Sequence, residues 1–175
     1  LMFSCRMLLS ERVNKPDEAL ALSEDIDKRY PNADPKLVIA IMAQRIDAKL
    51  KKTQVQDAEA DLKGLKAKYE KEGVGLDHYS RALSMMANAY TAAAAAEKTK
   101  DPEKYDLFGM KAADYYYEFY QLNPGAITGK IDQMEGMAQM LFIAAEQRMK
   151  TGQAKNDKDM VEEARKIYAR SRDLY

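Results

Sequence analysis

Apolar residues recur at helical spacing along nearly the whole chain. In Leu83-Ser84-Met85-Met86-Ala87-Asn88-Ala89-Tyr90, Leu83, Met86 and Tyr90 fall three and four positions apart, on one helix face beside the small Ala87. Upstream, Pro16 opens a helix whose stripe is Ala19, Leu22, Ile26 and Tyr30, with Pro31 as its stop. Asp17 and Glu18 then sit at the positive end of the helix dipole. Asp34 is placed to cap the helix behind Pro35, which turns Ile39, Met42-Ala43, Ile46 and Leu50 inward. After a polar break at Lys51 to Thr53, Val55, Ala58, Leu62, Leu65 and Tyr69 predict a partner helix, ended by Gly73-Val74-Gly75.

From Leu76, with Asp77 as its cap, a further helix is expected to run through five alanines, Ala92 to Ala96. Asp101-Pro102 starts another, carrying Tyr105, Phe108, Ala112-Ala113, Tyr116-Tyr117 and Tyr120 up to Asn123-Pro124-Gly125. The last pair has Met134, Met137, Leu141, Ala144-Ala145 and Met149 on its first helix. A turn at Thr151 to Asn156 follows, and a helix begun at Asp157 or Asp159 faces Met160, Ala164, Ile167-Tyr168 and Ser171 inward. The pattern predicts seven or eight helices and no strand.

The pairing and the small residues resemble the tetratricopeptide repeat. Its first helix reads bulky-x-x-Leu-Gly-x-x-Tyr, as Leu83, Met86-Ala87 and Tyr90 do here. Its second helix keeps a small residue and a terminal proline, as Ala19 with Pro31 and Ala113 with Tyr117 and Pro124 do. The second-helix alanines Ala19, Ala58, Ala113 and Ala164 are 39, 55 and 51 residues apart, longer than the usual repeat of about 34. The surplus is assigned to lengthened helices and a longer turn near Thr151. The resemblance implies an all-α fold of antiparallel hairpins, about 1–31, 35–72, 76–123 and 129–175, stacked as one right-handed solenoid domain.

It further implies that first helices line a concave groove for a peptide or partner helix. Position by position, the expected partner-binding residues are Gln44, Asp47, Arg81, Ser84, Asn88, Phe142, Glu146 and Met149. Asn88 stands where chaperone-binding members keep an asparagine, whereas Ala40, Ser84 and Phe142 occupy the lysine-type positions of a carboxylate clamp. The expected function is a non-catalytic interaction scaffold. The alternatives are a self-association module, stacking through open repeat ends, and a helical regulatory region of a larger enzyme.

Composition narrows this little. The 28 basic and 28 acidic residues balance, so charge favours neither nucleic acid nor an anionic membrane. No apolar run of about 18 residues predicts a membrane span. Leu1 at the start and Tyr175 in mid-pattern predict a segment of a longer protein, and the compartment stays open. Catalytic, metal and cofactor sites are not expected. His78 is the sole histidine, outside any Glu-x-x-His pattern, and reads as a surface or capping residue. Gly125 to Lys130 has three residues between its glycines where a phosphate loop needs four. Cys5 lacks a neighbouring base and reads as a buried thiol. Tyr115 to Tyr120 points around too much of a helix for one buried face, so either two faces are covered or part is exposed as an aromatic binding patch. The Met134–Met149 helix reads as core or, alternatively, as an adaptable binding surface.

Overall fold

The computed structural model describes residues 2–30, 32–123 and 131–174, and their side chains apart from those at 2, 3, 26–28, 131–134 and 137. Eight helices and no strand form among the described residues: α1 (Met2–Leu8), α2 (Pro16–Arg29), α3 (Pro35–Lys51), α4 (Val55–Glu72), α5 (Leu76–Glu97), α6 (Pro102–Leu122), α7 (Ile131–Lys155) and α8 (Lys158–Arg172). The all-α expectation is therefore met. The expected stops at Pro31 and Pro124, the loop from Gly125 to Lys130, and the side chains of Ile26, Met134 and Met137 lie outside the described residues.

Local chemistry accounts for most helix ends. Asp34 Oδ1 accepts from the amides of Lys36 and Leu37 at 2.8 and 3.3 Å, ahead of Pro35. Asp101 and Asp157 cap α6 and α8 through the amides of Lys104 and Met160. Gly73 ends α4 at φ 66°, the left-handed conformation that glycine adopts without penalty. Gly75 lies at φ 83°, where a Cβ would sit 2.7 Å from Ile39 Cγ2. Its carbonyl accepts from the amides of His78 and Tyr79, so Gly75 precedes α5 and Asp77 lies inside the first turn rather than capping it.

One turn falls elsewhere than the sequence suggests. Thr151 to Lys155 continue α7, and the link to α8 shrinks to Asn156, at φ 53°, and Asp157. Gly152 permits this, because a Cβ there would meet Val161 Cγ2 at 3.0 Å and the Val161 amide nitrogen at 3.1 Å. Residues 151–155 are thus helix, not loop.

The chain divides into two compact units, residues 1–86 and 87–175. In unit one α1 packs on α2 and α3, α2 on α3, and α3 on α4. Tyr79 of α5 stacks on Tyr69 of α4 with ring centroids 5.0 Å apart. The Cys5 thiol is buried and lies 3.9 Å from the Ala19 carbonyl. In unit two α6 packs on α7 and α7 on α8. Ala19, Ala58, Ala113 and Ala164 are all buried.

Candidate functional site

Within unit one, α1, α3 and α5 surround a cavity of about 130 Å³ lined by Arg6, Ala40, Ala43, Gln44, Asp47, His78 and Arg81. Helix geometry assembles it from few choices. Gln44 and Asp47 are three apart on α3, as are His78 and Arg81 on α5, so each pair shares a face. Alanines at positions 40 and 43 leave the floor open. Arg81 Nη2 reaches Asp47 Oδ2 at 3.3 Å and joins the two walls.

Asp47 is the more enclosed partner, with 17% of its side chain exposed against 51% for Arg81. Burial raises the Asp47 pKa above the ordinary carboxylate value, and the Lys51 and Arg81 charges oppose that rise. The His78 Nε2 lies 3.6 Å from Asp77 Oδ2. Two guanidinium groups, an imidazole and one engaged carboxylate therefore ring a small hollow. Such a set can grip carboxylate or carbonyl oxygens of a partner. It holds no nucleophile beside a base, and no group of three or more His, Cys, Asp or Glu side chains suited to a metal occurs among the described residues.

Of the eight expected partner-binding residues, Gln44, Asp47 and Arg81 meet at this hollow, and Ser84, half-buried one turn further along α5, does not line it. The other four belong to unit two. Asn88 is exposed and its Oδ1 accepts from the Tyr116 hydroxyl at 2.6 Å. Phe142 is 47% exposed and meets Tyr168 edge-on at 5.5 Å. Burial and then the Glu146 charge raise the Tyr168 pKa. Met149 is half-buried.

Two members of the hollow escaped the sequence reading. The sequence places His78 at the surface or in a cap, yet its spacing of three from Arg81 is the signal that puts both on the face lining the hollow. Arg6 had no such signal, because α1 is short and its register against α3 is set by packing. The aromatic run packs on two sides, and each of its residues stays half-buried. Tyr115 stacks on Tyr90 at 5.8 Å, while Tyr116, Tyr117, Phe119 and Tyr120 pack on the cluster of Ala113, Ala138, Leu141, Ala145, Ile167 and Leu174.

No described helix is long and apolar enough to cross a membrane. Comparison with known proteins finds no matching family model and no significant match to a curated protein or a solved structure.

Proposed function

We propose that this chain is a non-catalytic protein-binding scaffold, built of tetratricopeptide-like hairpins stacked as a right-handed solenoid. In this reading a peptide or partner helix lies on the face that α3 and α5 present in unit one. The observation that carries it is the meeting of Gln44, Asp47 and Arg81, groove positions that the tetratricopeptide resemblance implies, at one hollow with Arg6 and His78. Buried alanines at Ala19, Ala58, Ala113 and Ala164 support the hairpin pairing.

The partner's bound segment should present acidic side chains or carbonyls to Arg6 and Arg81. Arg81→Glu reverses one of these charges and is tested by affinity capture beside Lys166→Glu, a change on an exposed position of α8. Loss of the captured partners with the first variant and retention with the second supports the reading. Retention with both rejects it.

A second reading, self-association, draws on Phe142 and Ile143, adjacent residues of α7 that are 47% and 38% exposed. Light scattering across a concentration series decides it, since a constant monomer mass removes this alternative.

A further inference from the structure

Unit two contains a cavity of another character. It measures about 220 Å³ and opens between α5, α6 and α7. Ala94, Ala95, Met140, Ile143 and Ala144 give it mostly apolar walls. Gly109 of α6 also lines it, and a Cβ built on Gly109 meets nothing within 4 Å. Glycine weakens a helix interior relative to alanine. Here it stands where a side chain would enter the empty space.

One carboxylate enters these apolar surroundings. Asp106 precedes Gly109 by three residues, on the same face of α6, and lines the cavity. Its Oδ1 is buried and accepts no hydrogen bond from the described residues. Burial raises the Asp106 pKa and the Arg148 charge opposes the rise. Arg148 itself is held elsewhere, 2.5 Å from Glu163 Oε2 and 3.1 Å from Met110 Sδ. Lys98, also lining the cavity, is exposed. A buried acceptor without a donor is unfavourable, and a ligand N–H aimed at it recovers that loss. Because the acceptor is a carboxylate in an apolar hollow, a charged donor gains more than a neutral one.

We propose that this cavity is a binding site for a small ammonium compound, whose protonated amine donates to Asp106 Oδ1 and whose apolar body fills the space above Gly109. A hollow of this size takes a body of roughly six to nine non-hydrogen atoms. The site is independent of the face on α3 and α5, and neither proposal needs the other.

The test is an NMR titration of the full chain at pH 7 with isopentylamine, and with isopentanol as its uncharged counterpart. Isopentylamine should give saturable shifts in amides of residues 94–109 and 140–147, with affinity at least tenfold above the alcohol. Asp106→Asn, close in shape, should weaken the amine tenfold or more. Gly109→Leu should abolish binding by filling the cavity, while the circular dichroism of the helices is retained. Equal affinity for amine and alcohol, unchanged amine binding by Asp106→Asn, or no saturable shift in these segments would overturn the assignment.

Discussion

The two units bury different material. Among the described residues, the largest fully buried side chains include Tyr79, Ile39, Ile41, Ile46, Leu65, Leu83 and Met86, all of unit one, and from unit two only Leu141. Both units bury alanines, Ala19, Ala40, Ala43, Ala48, Ala58 and Ala82 in unit one and Ala112, Ala113, Ala138, Ala145 and Ala164 among those of unit two, but unit two backs Ala113, Ala138 and Ala145 with half-buried tyrosines. Branched aliphatic side chains fill most of the space between the unit one helices, and its hollow forms where Ala40 and Ala43 leave room beneath charged groups. Alanines bring backbones close but fill nothing where helices diverge. The larger, apolar cavity of unit two follows from that. Its tyrosines also make polar contacts, the Tyr116 hydroxyl donating to Asn88 and the Tyr117 ring lying beneath Arg170, 5.2 Å from the ring centre.

If this contrast is correct, opposite substitutions should damage the two units. Ile46→Ala, which empties a fully buried site in unit one, should lower the unfolding free energy by about 2–5 kcal/mol in a denaturant titration. Ala138→Leu, which overfills a fully buried site in unit two, should cost about 1–3 kcal/mol in the same assay. A tolerated Ala138→Leu would mean that the alanine core is loose, and the contrast would fail. Gly109→Ala should instead stabilise by roughly 0.5–1 kcal/mol, since the new methyl meets no atom and the helix gains propensity.

The smallest effect is a pH dependence. Asp106 has a raised pKa in the folded chain, so above the ordinary value of 3.8 the folded state holds its proton longer than the unfolded state does. Its contribution to stability is greatest below that value and declines as pH rises through the raised one. Asp106→Asn removes this decline. Its melting temperature relative to the parent chain should therefore increase as pH is raised from about 4 to about 6. A difference that is flat or shrinks over this range would show that Asp106 is not desolvated.

Helix positions were legible because caps and stripes are local. Asp34, Asp101 and Asp157 stand immediately before their helices, and Gly73 after its own. The shift of the α7–α8 turn was not legible, because six polar or small residues from Thr151 to Asn156 look like a loop. Only the contact of Gly152 with Val161 shows that the helix continues and α8 returns against it. Three of the seven residues lining the unit one hollow, Gln44, Asp47 and Arg81, were readable for a related reason. Spacing within α3 and within α5 is encoded locally, whereas the approach of Arg6 depends on how α1 docks. The unit two cavity gave no pattern to find, since alanine-rich helices read alike whether they close on a neighbour or stand apart.

Hydrogen–deuterium exchange of the full chain, with and without a captured partner, tests the central claim most directly. Binding at the face joined by Asp47 and Arg81 predicts added protection in residues 40–47 and 78–84. Protection confined to 138–149, with those two segments unchanged, would contradict it.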